Sequence, residues 1–119
     1  MQYLLLIYDQ EKRWTKLSAA DQNSEYTEFV AFGKEFAKEI RGGNGLQATP
    51  TAKTVRAHNG KTQVTDGPFA ETKEQLGGYY LVEAKDLDEA LGIAARIPGA
   101  RRGSIEVRPI AAMNQVAQA

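Results

Sequence analysis

The feature that most constrains the fold is a pair of strand-length segments that are apolar on both faces. One covers residues 3–8 and the other residues 79–84, and each carries large apolar side chains at odd and even positions alike. Because successive side chains of a strand point to opposite faces of the sheet, both faces need a cover. The sequence therefore predicts a central sheet that is covered from two sides.

A long amphipathic helix is predicted between these two strands. Ser18 and Asp21 form a hydroxyl and carboxylate pair of the kind that satisfies free amide groups at a helix start. Apolar residues then recur at helical spacing as far as Ile40, and Gly42-Gly43 is expected to close the helix. The residues before it, 9–16, are interpreted as a polar connection.

The middle of the chain is predicted to be a β-ribbon. Residues 46–51 and Lys53–His58 are expected to be extended pieces around Pro50. Asn59-Gly60 is a strong signal for a two-residue hairpin turn, and it leads into a further strand at residues 62–65.

The last third of the chain repeats the order of strand, helix and strand. Asp86 and Glu89 cap a second helix that Pro98-Gly99 stops, and residues 104–110 form the final strand. The whole order predicts an α+β fold, a ferredoxin-like βαββαβ unit with an inserted β-hairpin.

Length and composition exclude several classes of protein. A chain of 119 residues suits a single domain spanning residues 1–119. Fifteen basic and fifteen acidic residues cancel, which argues against a nucleic-acid partner, and no apolar run approaches the roughly 20 residues of a membrane span. With no export signal and no cysteine, we expect a cytoplasmic location.

A homodimer follows from the two apolar strands. In this topology the helices cover one face of the sheet, so the opposite face would expose apolar area at a cost of roughly 25 cal/mol per Å². We expect a second copy to pack its own sheet on that face about a two-fold axis. The alternative is that the inserted hairpin or the carboxy-terminal tail, residues 111–119, folds over the face within one chain.

One segment has a distinctive sequence, DGPFAETKE at residues 66–74 followed by GGYY at residues 77–80. This segment resembles the DGPF domain of the YCII-related protein family. The similarity extends to TVR at 54–56, DLDEA at 86–90, IPGA at 97–100 and EVRPI at 106–110, so it spans nearly the whole chain.

The resemblance implies a fold more clearly than an activity. It implies a dimeric α+β barrel in which two ferredoxin-like subunits pair sheet to sheet. Genes of this family often lie beside those of extracytoplasmic-function sigma factors, and related barrels include small monooxygenases and lactone isomerases. Some YCII relatives are thought to use a histidine and aspartate pair.

This chain departs from that pair. In a two-residue hairpin the residue opposite Asp66 is near Lys53, whereas the sole histidine, His58, lies at the turn. At about 3.3 Å per strand residue, His58 and Asp66 are separated by roughly 15 Å or more in one subunit. An intrachain dyad is therefore not expected.

Asp66 is the candidate catalytic residue. An aspartate in Asp-Gly-Pro commonly forms a tight corner by bonding to its own downstream amides. Near a dimer groove, with Gly67 allowing the backbone to approach a ligand, the carboxylate is instead a general base or ligand acceptor. The sequence leaves both interpretations open.

The candidate ligand-binding residues surround that corner, and each also has a structural interpretation. The charged residues after the corner are expected to form ion pairs among themselves or with strand arginines. One of the two tyrosines is expected to face the helices and the other the dimer, and Phe69 is expected to anchor the corner by packing. The candidates are Arg56, Gly67, Pro68, Phe69, Glu71, Lys73, Tyr79, Tyr80 and Arg108.

No metal, cofactor or phosphate site is indicated. The only concentrated basic group, Arg96, Arg101 and Arg102, favours a solvated loop over a patch for nucleic acid or an acidic partner, since no aromatic residues are interleaved with it. There is no phosphate loop, no metal-ligand spacing and no dinucleotide fingerprint.

The sequence therefore leads to two hypotheses. The first is that the protein binds or transforms a small molecule in a pocket near Asp66 and Tyr79 or Tyr80 at the dimer barrel, without a bound cofactor. The second, which comes only from the family's gene neighbourhoods, is a non-catalytic protein that binds a sigma factor or another regulatory partner. The substrate and the reaction type do not follow from the sequence.

Overall fold

A four-stranded antiparallel sheet and a separate two-stranded hairpin organise the molecule, which is described as a computed structural model over residues 1–112. The sheet has the strand order β2-β5-β1-β6, and β3 and β4 form the hairpin. In chain order the elements are β1 (Gln2–Asp9), α1 (Glu11–Thr15), α2 (Ala19–Glu35), β2 (Ile40–Gly45), a 3₁₀ turn (Thr49–Thr51), β3 (Lys53–His58), β4 (Lys61–Asp66), β5 (Gln75–Glu83), α3 (Leu87–Arg96), a second 3₁₀ turn (Pro98–Arg101) and β6 (Ser104–Pro109).

This topology confirms the predicted ferredoxin-like α+β fold with an inserted hairpin. The two doubly apolar strands, β1 and β5, are the central pair of the sheet, and β2 and β6 are its edges. The hairpin is inserted between β2 and β5.

The hydrophobic core lies between the sheet and the helices. Tyr3 and Leu5 of β1 are 2% and 0% exposed, and Val82 of β5 is 0% exposed. The same core contains the one buried residue of α2 and the buried residues of α3. Its remaining buried members are Phe32, Ala84, Ala90, Ile93, Ala94 and Ile97.

The predicted helix caps and the hairpin turn are confirmed. The Ser18 side chain accepts a hydrogen bond from the Asp21 amide, and the Asp86 side chain accepts one from the Glu89 amide. Asn59 and Gly60 have φ angles of 51° and 76°, as a two-residue turn with a left-handed backbone requires.

The end of the first long helix was predicted incorrectly. Helix α2 ends at Glu35, and Gly42-Gly43 lies inside edge strand β2 instead of closing the helix. The reason is close packing against β5, because a Cβ atom at Gly43 would lie 2.8 Å from the Tyr79 carbonyl oxygen. Glycine is needed there for approach between strands, not for a helix cap.

Two neighbouring predictions were also wrong. Residues 9–16, predicted to be a polar connection, contain the five-residue helix α1. Residues 46–51, predicted to be extended, end in a 3₁₀ turn with Pro50 in its first turn, where a missing amide hydrogen costs nothing. The second strand of the core unit is therefore β2 at residues 40–45.

The outer face of the sheet and the hairpin both present apolar side chains to solvent. Leu4, Leu6 and Leu81 on the outer face are only partly buried. Every residue of β4, and every residue of β3 except Thr54, is exposed. The hairpin thus does not fold over the sheet, and the alternative that the tail does so concerns residues 113–119, outside the described residues.

No helix within residues 1–112 has the length and apolar character that crossing a membrane requires.

Candidate functional site

Two adjoining cavities lie on the helix side of the sheet, between α1, α2 and the ends of β1, β2 and β5. Their volumes are about 370 Å³ and 490 Å³, which is within the size range of sites for small organic molecules. We call them together the helix–sheet cavity. The residues that line both parts are Ile7, Asp9, Trp14, Glu25, Tyr26, Phe29 and Gly77.

Helix α1 forms one wall of the cavity and is anchored at its start by hydrogen bonds. The Glu11 carboxylate accepts from the Thr49 amide at 2.7 Å and from the Thr49 hydroxyl at 2.8 Å. The Glu11 amide donates to the Gln75 side chain at 3.0 Å. Because five residues are too few for a stable helix on their own, these contacts are what holds Trp14 at the cavity.

Arg13 ties α1 to the sheet and to α2. Its guanidinium donates to the Asp9 carboxylate at 2.7 and 3.0 Å and to the Glu25 carboxylate at 2.8 and 3.0 Å. Hydrogen bonds to Glu25 and then to Asp9 raise the pKa of Arg13 above its ordinary value. Both carboxylates line the cavity, so its polar edge is a fixed ion-pair cluster.

Arg102 and Arg101 extend this cluster along α2. Arg102 lies 3.5 Å from Glu25 and also pairs with Glu28, and Arg101 pairs with Glu28. The hydrogen bond from Arg101, followed by that from Arg102, lowers the pKa of Glu28. The basic group expected to be a solvated loop is thus largely paired with acids of α2, and Arg96 pairs with Glu35 in the same way.

Tyr80 contributes a phenol to the cavity. Its ring packs against Phe32 with centroids 5.0 Å apart, and burial raises the pKa of its hydroxyl. The hydroxyl has no hydrogen-bond partner among residues 1–112, so it is available to donate to a ligand. Trp14, Tyr26 and Phe29 supply the aromatic walls around it.

The structure places Asp66 outside this cavity. It pairs with Lys53 in the strand register, as predicted, and its carboxylate lies 2.5 Å from the Lys53 ammonium. The Asp66 side chain is 87% exposed. Gly67 has a φ of 86° and its amide donates to the Ala52 carbonyl, so the corner is built as a tight turn at the base of the hairpin.

The residues after the corner also lie outside the cavity. Phe69 is 79% exposed, so within a single subunit it does not anchor the corner by packing, contrary to the expectation. Pro68, Glu71 and Lys73 are exposed as well. Glu74 accepts from the Ser104 hydroxyl at 2.7 Å instead of forming the expected ion pair, because the segment brings it beside the start of β6.

The candidate residues on strands lie in two places, the β3–β4 hairpin and the outer face of the main sheet. Arg56 lies opposite Gln63 within the hairpin, and His58 lies opposite Lys61 at its far end. Arg108 lies on the outer face of the sheet and is 3.6 Å from Glu106.

The two tyrosines face opposite sides of the sheet, as predicted. Tyr80 faces the helices and packs against Phe32. The register pairs Tyr79 with Leu6 of the outer face, and its hydroxyl accepts from the Asn44 amide group at 2.9 Å.

The cavity residues that sequence reasoning missed are Asp9, Arg13, Trp14 and Glu25. Each lies in a segment interpreted as a connection or as the solvated side of a helix. A signal was available, since Asp9 and Arg13 are four residues apart at the end of a buried strand and the only tryptophan follows directly.

No group of three or more potential metal ligands occurs within residues 1–112.

Comparison with known proteins establishes the family. The YCII-related domain matches residues 1–114. The chain is 38% identical over 115 residues to the uncharacterized protein R00369 of Rhizobium meliloti (strain 1021), with 93% of each chain covered. This protein therefore belongs to the YCII-related domain family.

A solved structure with the same fold is an enzyme. It is the 5-chloro-2-hydroxyhydroquinone dehydrochlorinase (TftG) from Burkholderia phenoliruptrix AC1100, in complex with 2,5-dihydroxybenzoquinone. The TM-score is 0.56 at 15% identity, and 97% of this chain and 98% of that chain are covered. At this identity the similarity concerns the fold.

Proposed function

We propose that this protein binds a small, oxygen-bearing organic molecule in the helix–sheet cavity and acts on it as an enzyme. The observation that carries the proposal is the cavity itself, which combines aromatic walls with one free phenol and the carboxylates of Asp9 and Glu25 at its edge. Large apolar pockets with a few convergent polar groups are the usual form of small-molecule sites. That a fold relative is a dehydrochlorinase with a bound dihydroxybenzoquinone supports the same class of ligand.

Tyr80 and Asp9 have complementary chemical roles in this proposal. The Tyr80 phenol is protonated at neutral pH, since the ordinary tyrosine pKa of about 10 is raised further by burial, so it donates a hydrogen bond to a ligand oxygen. The Asp9 carboxylate, which Arg13 and the Gln10 amide hold in place, accepts one. A donor and an acceptor at one apolar site are the groups that proton transfer on a small molecule requires.

A catalytic role for Asp66 stays a prediction that is separate from this proposed site. In one subunit its carboxylate is bound to Lys53 at the base of the hairpin and reaches neither part of the cavity. A role for Asp66, and with it the candidates Arg56, Gly67 and Phe69, requires the hairpin of a second copy to approach the site.

A second copy on the outer face is part of the proposal. Leu4, Leu6 and Leu81 form an apolar strip there that neither helices nor hairpin covers. Burying such a strip gives roughly 25 cal/mol per Å², which favours a sheet-to-sheet homodimer. Sedimentation equilibrium is expected to give twice the chain mass for the native protein and a monomer for Leu6→Glu; a monomeric native protein would contradict it.

The alternative partner, an extracytoplasmic-function sigma factor, also stays a prediction. That alternative comes only from the family's gene neighbourhoods. The arginine group, which is less favoured as a patch for an acidic partner, pairs with Glu25, Glu28 and Glu35.

The test uses the only tryptophan as a reporter. Trp14 lines both parts of the cavity, so a bound ligand is expected to change its fluorescence and, by binding the native state alone, to raise the melting temperature. A metabolite library is screened with both readouts, and each hit is measured by calorimetry with two single-atom variants.

The two variants give opposite expectations. Tyr80→Phe keeps the ring packing and removes the free hydroxyl, so binding is expected to weaken about five- to tenfold, the value of one lost hydrogen bond. Asp66→Asn is expected to bind as the native protein does. A ligand whose binding is lost in Asp66→Asn and kept in Tyr80→Phe would contradict the proposed site.

A further inference from the structure

The smaller part of the helix–sheet cavity, which we call the slot, is lined by two unlike sets of residues. One wall is formed by side chains of α1 and α2, the aromatic rings of Trp14, Tyr26 and Phe29. The other wall is the surface of strands β2 and β5, where the lining residues include Gly43, Gly45, Gly77 and Gly78.

The register explains why that second wall is bare backbone. Gly78 is paired with Ile7 on one side and with Gly45 on the other, and Ile7 packs against the core on the helix side. Two adjacent positions on the cavity side of the sheet therefore carry no side chain. Glycines inside strands commonly mark a place where a ligand approaches the backbone closely.

The glycines of this wall are under different constraints. At Gly78 an added Cβ atom would lie 3.0 Å from the Asn44 carbonyl oxygen, so close strand packing alone accounts for glycine. At Gly45 an added Cβ atom would have no neighbour within 4 Å. Strand packing does not explain Gly45, and the open space beside it belongs to the cavity.

We infer that the ligand is a flat ring with hydroxyl or oxo substituents, a phenol, hydroquinone or quinone, that lies on the backbone at Gly45 and Gly78. This inference rests on the proposed function and specifies its ligand class. Aromatic side chains on the α1 and α2 wall contact one face of such a ring, and peptide planes contact the other. The free Tyr80 hydroxyl then binds a substituent at the ring edge.

The first test compares two probes that differ in flatness. Hydroquinone and trans-1,4-cyclohexanediol both carry hydroxyl groups across a six-membered ring, but only hydroquinone is planar. Calorimetry is expected to show hydroquinone binding at least about tenfold more tightly. Equal affinities, or tighter binding of the cyclohexanediol, would overturn the inference and leave the proposed function standing.

The second test places one methyl group in the slot. Gly45→Ala is expected to weaken hydroquinone binding by about tenfold or more, because the methyl group occupies the space of the ring face. Gly42→Ala is the matched control, since it lies on the same strand opposite Leu81, outside the cavity, and its Cβ atom also meets nothing within 4 Å.

The outcomes separate the two proposals. Both variants are expected to keep the melting temperature of the native protein, which excludes a folding defect. Unchanged hydroquinone binding in Gly45→Ala would overturn the flat-ring inference. If hydroquinone does not bind and the library yields only non-planar ligands that require Tyr80, the flat-ring inference fails while the proposed function holds. If no compound in the library binds, both the flat-ring inference and the proposed function are contradicted.

Discussion

The helix side of the sheet and the β3–β4 hairpin carry the two sets of candidate functional residues, and they differ in what holds them. Around the cavity, Asp9, Arg13, Trp14 and Glu25 are fixed by a packed core and a shared ion-pair cluster. In the hairpin, Asp66 and Arg56 stand on two exposed strands that contact solvent on both faces. A prominent motif thus marks a well-defined turn, while the preorganised cavity is built from less conspicuous residues.

The largest difference between the two regions is expected in core truncation. Leu5→Ala removes a side chain that is 0% exposed and should lower the free energy of unfolding by about 3 kcal/mol. Val64→Ala in the hairpin, where the side chain is 59% exposed, should change it by less than about 0.5 kcal/mol. Urea unfolding measures both.

One result would contradict this difference between the core and the hairpin. A loss at Val64 as large as that at Leu5 would mean that the hairpin is packed in solution, which would point to a second copy covering it. Repeating the Val64→Ala measurement at several protein concentrations distinguishes that case, because stability shared between subunits depends on concentration.

A smaller effect is expected from opening the ion-pair cluster. Glu25→Gln removes one of the two carboxylates that pair with Arg13 and one of the two that pair with Arg102, whose side chains are 30% and 15% exposed. The free energy of unfolding should fall by about 2 kcal/mol, between the values for surface and buried pairs. The Trp14 emission should also shift toward that of exposed tryptophan, because Arg13 no longer ties α1 to α2.

The matched control is Glu35→Gln, which removes an ion pair with Arg96 away from the cavity. It should leave Trp14 emission unchanged. Identical spectra for native protein and Glu25→Gln would contradict the positioning role of the cluster.

The pH dependence sharpens the same comparison. The pKa of Glu28 is lowered in the folded protein, chiefly by its hydrogen bond from Arg101, so the folded state favours the ionised form. Its contribution to stability is complete above the ordinary glutamate pKa and is lost as the pH falls through the lower folded value. Glu28→Gln should therefore flatten the acid side of the stability profile, as measured by thermal unfolding between pH 2 and 6.

The control for this profile is Glu71→Gln in the exposed segment after the hairpin. It should leave the acid side of the profile unchanged. An equal flattening by both variants would show that general charge, and not the Arg101 and Arg102 contacts, sets the acid sensitivity.

The smallest effect is expected at the motif itself. Asp66 and Lys53 form an exposed pair, 87% and 59% accessible, so Asp66→Asn should change the free energy of unfolding by less than about 0.5 kcal/mol. A loss above about 1 kcal/mol would instead assign Asp66 a structural role in the corner. Thermal and urea unfolding of the same sample measure this directly.

Local signals explain what the sequence could predict. The capping residues Ser18 and Asp86 and the Asn59-Gly60 turn act on groups within a few residues of the chain. The two caps and the turn could therefore be predicted from the sequence, and the structure confirms them. The strand register that places Lys53 opposite Asp66 follows from that turn. The two doubly apolar strands likewise occupy the centre of the sheet as their composition requires.

The cavity could not be predicted because its parts come together only through tertiary contacts. Trp14 is held there by Glu11 contacting Thr49 and by Arg13 contacting Glu25, pairs that no local pattern connects. Gly43 was assigned to a helix end because glycine at that place is usually a cap. Its actual role, close approach to β5, depends on a strand more than thirty residues away.

The most direct test of the central claim is an amide NMR titration of the uniformly ¹⁵N-labelled protein with hydroquinone. The glycine amides report both regions at once, with Gly45 and Gly78 in the cavity wall and Gly60 and Gly67 in the hairpin. We expect shifts at Gly45, Gly78 and the Trp14 indole, with Gly60 and Gly67 unchanged. Shifts centred on Gly67 and Asp66, with the cavity amides unchanged, would contradict this expectation.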